Sequence, residues 1–236
     1  MATEAPWRRR VAGLLLSIAV VVALLPLVAA WEPRFYRERS IVGMDPAAAE
    51  QAARRLVSDV SALRAAAERP GSWEAMLDEA GINAWFALDQ PRNHPTLLPG
   101  GASGVRVRLA AGRVEAGVRL GFGPVSTIAW VAVEVRLRDV NQLGILVEDA
   151  GFGRLPLPRG LILGELARRF RRLGFVAAVR PLDGRSVLVV YIPSTHGAGG
   201  PSHWLESLAV GQGFLAVAGR TLPPDDRLDA PDAAAR

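Results

Sequence analysis

The sequence predicts an α+β fold: an N-terminal transmembrane helix followed by helices packed on a curved antiparallel β-sheet. Three observations carry this. Val11 to Ala30 is a run of 20 residues without a charge. From Asp45 to about Phe86 apolar residues recur at helical spacing. From Val105 the apolar period drops to two, the signature of strands with one buried face.

The apolar run VAGLLLSIAVVVALLPLVAA, at about 1.5 Å rise per residue, spans a hydrocarbon core of about 30 Å. Trp7 and Trp31 bracket it, at the depth where indole rings favour the membrane interface. A cleaved secretory signal is the rival reading, with Arg8, Arg9 and Arg10 as charged region and Val28-Ala29-Ala30 as cleavage site. Arginines crowd the residues just before the span, while Arg34, Arg37 and Arg39 after it are interleaved with Glu32 and Glu38. That bias places the short N-terminal tail in the cytoplasm. The expectation is therefore a single-pass cell (inner) membrane protein with its C-terminal domain outside the cytoplasm.

Asp45-Pro46 is a helix start, an N-cap acceptor followed by proline at the first helical position. The helix predicted from there to about Arg69 carries Ala52, Leu56, Val60, Leu63 and Ala67 in one apolar stripe. Pro70-Gly71 ends it, and Ser72 is expected to cap a second helix through Trp73, Met76, Leu77 and Ala80, interrupted at Gly81 and continued by Ile82 to Phe86. Residues 89–104 read as a loop. Val105, Val107 and Leu109, then Val114, Ala116, Val118, Leu120 and Phe122, then Ala129, Val131, Val133, Val135 and Leu137 alternate with polar residues and predict three strands. Gly144–Ala150 is a candidate fourth. A helix follows from about Arg159 to Arg172, then a hairpin over 174–192 turning at Asp183-Gly184. Residues 202–219 carry a weak helical pattern.

The chain thus divides into a cytoplasmic tail (1–10), the transmembrane helix or signal anchor (11–30), a juxtamembrane linker and helix (31–71), an α+β domain (72–193), and a weak helix with a disordered tail (194–236). Composition narrows the chemistry. All 28 cationic residues are arginine, and there is no cysteine. Lysine Schiff bases, the P-loop lysine, thiol nucleophiles, disulfides, cysteine-bound zinc and an acylated lipoprotein cysteine are thereby excluded. His94, His196 and His203 lie in Pro/Gly/Ser-rich segments without a nearby ordered carboxylate, there is no nucleophile elbow, and the pair Asp225-Asp226 sits in the tail. No catalytic residue, metal ligand or cofactor is assigned, and the reading is non-enzymatic.

Charge concentrates on the predicted sheet, where residues 105–193 hold 14 arginines against 7 acids. Its densest cluster, Arg168, Arg169, Arg171 and Arg172, reads either as a solvated helix face or as a patch for lipid headgroups. Nucleic acid is not an expected partner. Ile128 and Trp130 fall opposite Val131 and Val133, and Val187–Ile192 is apolar on both faces, so that sheet is either covered on both sides or wraps an apolar cavity.

The stretch WEAMLDEAGINAWFA (Trp73–Ala87), the amphipathic strands after it and GRLPLPRGLIL (Gly153–Leu163) resemble the YpmS-like family of membrane-anchored bacterial envelope proteins. Glu79, Ile82, Asn83 and Trp85 occupy the places of that family's motif before the sheet, and Gly153, Leu155, Pro156, Leu157 and Pro158 match its Pro-rich element. The chain is more distantly similar to YceB-like and LmeA-like proteins of tubular lipid-binding (TULIP-like) type. The resemblance implies a membrane-tethered, non-enzymatic module that binds or shields a lipid or other apolar ligand. Trp85, Phe86, Val118, Leu120, Val133 and Val135 are the expected cavity residues, with Arg168, Arg169, Arg171 and Arg172 at the headgroup. The alternative is an envelope assembly or scaffold protein that meets a protein partner through the Ala52–Ala67 stripe or a sheet edge.

Overall fold

A computed structural model describes residues 31–39, 45–122, 125–182, 184–194 and 201–223. The expected span Val11–Ala30, Gly123-Pro124, Asp183 of the last turn, His196, the glycines at 197, 199 and 200, and the tail from residue 224 lie outside the described residues. No helix of the described residues is long and apolar enough to cross a membrane.

Helix α1 (Arg34–Glu38) is followed by α2 (Pro46–Ala67). The Asp45 carboxylate accepts the Ala48 N–H at 3.3 Å, so α2 starts where its cap and proline require. Its buried residues, Ala49, Ala52, Ala53 and Leu56, are mostly small and bring the backbone of α3 (Glu79–Ala84) close, with Ala84 in the same cluster.

Two segments expected to be helical are strands. Gly71–Asp78 is β1, and it pairs residue for residue with β10 (Phe214–Leu222), which forms a hairpin with β9 (Ser202–Val210). In β1 the helix-forming run Glu74-Ala75-Met76-Leu77 also alternates, with Trp73, Ala75 and Leu77 toward one side. An eight-pair ladder outweighs helix propensity, worth at most about 0.7 kcal/mol per ordinary residue. Trp73 lies against Gly219, where a Cβ would sit 2.5 Å from the indole, and its Nε1 donates to Thr221 Oγ1 at 3.2 Å. Thr221 Oγ1 donates in turn to Ala67 O at 2.7 Å and ties this three-stranded sheet to the end of α2.

The larger sheet has seven strands, all antiparallel: β2 (Ala102–Ala110), β3 (Arg113–Phe122), β4 (Val125–Asp139), β5 (Gln142–Phe152), β8 (Arg185–Tyr191) and β7 (Val176–Leu182) in that order, with β6 (Leu155–Pro156) on β5. The alternation read from the sequence sets its faces. On one side Leu109, Val114, Ala116, Val118, Ala129, Val131 and Val133 share a surface by cross-strand register. Helix α5 (Arg159–Arg172) packs there over β5, β8 and β7, burying Leu163 and Ala167 against Ile145, Val147, Leu188 and Val190.

The opposite side carries Gly117, Ile128 and Trp130, and α1 lies on it through Phe35 and Tyr36. Gly117 makes room, since a Cβ there would come within 2.9 Å of the Tyr36 ring. Tyr36, fully buried, donates its hydroxyl to Gly104 O at 2.5 Å, and the Arg106 guanidinium stacks 4.1 Å from its ring. Arg119 pairs with Glu32, which raises the Arg119 pKa. Burial, opposed in part by Arg106 and Arg119, pushes the Tyr36 phenol above its usual 10.0. The neutral form is therefore favoured on folding. The stability this contributes is full below pH ~10 and is lost as pH rises through the folded pKa. Urea midpoints are expected to fall between pH about 9 and 11, and Tyr36→Phe to flatten that fall.

Two asparagine side chains act as pieces of backbone. Asn83 pairs with the outer edge of β2: its Nδ2 donates to Val107 O and its Oδ1 accepts the Val107 N–H, both at 2.7 Å. Glu79 continues that edge by accepting the Leu109 N–H at 2.6 Å, and Arg39 pairs with Glu79 at 2.5 Å. An edge strand otherwise open to pairing is thereby closed. Asn141, at the β4–β5 turn with φ 58°, holds β9 in the same way, donating to His203 O at 2.8 Å and accepting Leu205 N–H at 2.6 Å.

Candidate functional site

After α3 the chain widens into a π-helical turn, Trp85–Asp89, and a short helix α4, Gln90–Asn93. A π turn carries an extra residue per turn, and such bulges are frequent at functional sites. Here it carries four consecutive apolar residues, Trp85 to Leu88. The turn sets Trp85 edge-to-face with Phe86, centroids 5.0 Å apart, and 5.6 Å from the His94 ring.

Between this turn and α2 runs an open groove of about 560 Å³. Leu56, Val57, Val60 and Trp85 give it apolar walls, and Ser61, Asp89, Asn93 and His94 supply its polar groups. Val57 and Val60 are 43% and 46% exposed, so this part of the α2 surface is left open. Asp89 fixes the polar end: its Oδ1 accepts from Asn93 Nδ2 at 2.8 Å and its Oδ2 lies 4.0 Å from His94 Nε2. Gln90 Nε2 donates to His94 O at 2.9 Å and holds the end of α4. Ser61 Oγ donates to Val57 O at 2.7 Å within its own helix, so serine, histidine and aspartate share the groove without forming a relay. Among the described residues no three His, Asp or Glu side chains gather as a metal site would require.

The residues expected to line one cavity separate into two groups. Trp85 lines the α2 groove, with Phe86 packed against it. Val118, Leu120, Val133 and Val135 stand instead on the sheet face that carries α5, where Val133 and Val135 pack against its core. Val118 and Leu120 remain half-buried on β3. Arg168 and Arg169 share Glu165 at 2.5 and 3.1 Å, both exposed, a pairing worth only about 0–1 kcal/mol. Arg171 and Arg172 occupy the last turn of α5, where the helix dipole favours cations.

Of the groove residues, Leu56 and Val60 belong to the stripe visible in the sequence, but Leu56 is 8% exposed and serves the core. Val57 stands one residue outside that stripe, and no signal in the sequence singled it out. Asp89, Asn93 and His94 fell in a segment expected to be loop. Compared with family models, curated proteins and solved structures, the chain matches none.

Proposed function

We propose that this chain is a membrane-tethered domain, held outside the cytoplasm by Val11–Ala30, that binds an apolar ligand such as a lipid acyl chain without catalysing a reaction. One observation carries the reading: the groove between α2 and the π turn, about 560 Å³ with aliphatic and indole walls and a few polar groups. Ligand sites share that composition and run to about 300–1,000 Å³.

The second reading, an envelope scaffold that docks a protein partner, draws on the same exposed Val57 and Val60. Native mass spectrometry of the full chain released in mild detergent separates the two. Wild type carries a stoichiometric lipid adduct, and Val57→Glu/Val60→Glu loses it with an unchanged melting temperature, because a carboxylate in an apolar wall costs several kcal/mol to desolvate. Bare wild type across detergents, with self-association that disappears in the variant, overturns the ligand reading in favour of the scaffold.

A further inference from the structure

On the side of the large sheet away from α5, strands β4, β5 and β8 form an open trough of about 560 Å³. Its floor is apolar: Leu146 lines it, and Val187 is only 7% exposed. Arg136, Arg138 and Arg185 rim it. The Arg138 stem lies across Gly144, where a Cβ would stand 2.8 Å from Arg138 Cδ, so the aliphatic part covers the floor and the guanidinium is left at the rim. Arg136 pairs with Glu134. No ion pair engages Arg138 or Arg185 among the described residues, and Glu134 is the one acid lining the trough. Two cations over an apolar floor, with no carboxylate paired to them among the described residues, fit an anion that carries its own apolar body.

The path of the chain says which anion is at hand. Helix α1 begins at Arg34, four residues after the expected end of the span, and lies on Ile128 and Trp130. Those residues alternate along β4 with Glu134 and Arg136 on one face, so the tether arrives on the trough's own side of the sheet. We infer that this trough docks on the bilayer and seats an anionic phospholipid, its phosphate at Arg138 and Arg185 and the first methylenes of an acyl chain on Leu146 and Val187. The inference rests on the reading of Val11–Ala30 as a membrane span.

Because the chain has no cysteine, Leu182→Cys at the trough lining takes a polarity-sensitive fluorophore at a single place. The labelled full chain is reconstituted into phosphatidylcholine vesicles with and without phosphatidylglycerol. Phosphatidylglycerol is expected to shift the emission to the blue, and salt to reverse the shift. Arg138→Gln/Arg185→Gln is expected to need about thirtyfold more phosphatidylglycerol, about fivefold for each arginine at an anionic surface, with an unchanged circular dichroism melt. An emission that ignores phosphatidylglycerol overturns the inference. So does an equal shift with inorganic phosphate, which would mark a free-anion site. Flotation with neutral vesicles at high salt reads the span separately. A chain that fails to float there, yet whose label still responds to phosphatidylglycerol, keeps the trough and loses the anchor.

Discussion

Replacing Asn83 with alanine is expected to cost the domain about 3 kcal/mol, because the substitution strips partners from the edge of β2 rather than removing one side-chain contact. Asn83 is 4% exposed, and its amide serves the Val107 N–H, the Val107 C=O and Glu79 O. Each buried backbone group left unpaired costs about 1–3 kcal/mol. Asn83→Asp does not rescue the loss, since a carboxylate oxygen would then face the Val107 carbonyl where the amide now donates. Equilibrium urea unfolding measures the cost, and amide exchange at Val107 and Leu109 locates it. A loss below about 1 kcal/mol, or exchange that stays slow at both amides, would show that the β2 edge is closed by other means.

Tyr36→Ala is expected to be the most damaging single truncation on the α1 side, at about 4 kcal/mol. The ring is fully buried and fills the space left by Gly117, under the Arg106 guanidinium. Tyr36→Phe keeps that volume and loses the hydroxyl's interactions with Gly104 O and the Arg119 side chain, so about 1–2 kcal/mol is expected. Thermal unfolding of the two variants separates packing from hydrogen bonding. Equal losses in both would assign the stabilisation to the hydroxyl and contradict the packing account.

The strands that were legible in the sequence are those whose neighbours in the sheet are also neighbours in the chain. β2, β3 and β4 carry the alternation read from the sequence, and β5 covers the candidate fourth strand. Each follows its neighbour through a short connection, with bulges in the β2–β3 and β4–β5 ladders. The helix α5 and the β7–β8 hairpin were legible for the same reason, through local period and turn. β1 was not, because Trp73–Asp78 satisfies both periods and its partner β10 lies about 140 residues away in the chain, a distance no local pattern spans. In β9 the register slips beside Gly219, so the inward residues Leu205, Leu208 and Val210 are spaced three and then two apart, which imitates a helix. Asn83 was singled out by its place in a motif, yet its task as a substitute strand edge depends on Val107 arriving opposite it.

The site was legible in part. Trp85 and Val60 belong to the groove, and both stood out in the sequence, as an expected cavity residue and a stripe position. Their union could not be read, because it depends on α2 and the π turn, separated in the chain by β1 and α3, meeting in space. The sheet valines were assigned to a cavity on alternation alone, and alternation gives the face of a strand without saying what covers it. Val133 and Val135 are covered by the α5 core, whereas Val57 and Val60 stay exposed at the groove.

The groove as an apolar-ligand site is tested most directly by photo-crosslinking the full chain in vesicles with a diazirine-bearing fatty acid and mapping the labelled peptides. Label is expected at Val57, Val60 and Trp85, in addition to any on Val11–Ala30 from the surrounding lipid, with loss of the groove label in Val57→Glu/Val60→Glu. Label confined to Val11–Ala30 in both proteins, with none on α2 or the π turn, would contradict the groove as that site.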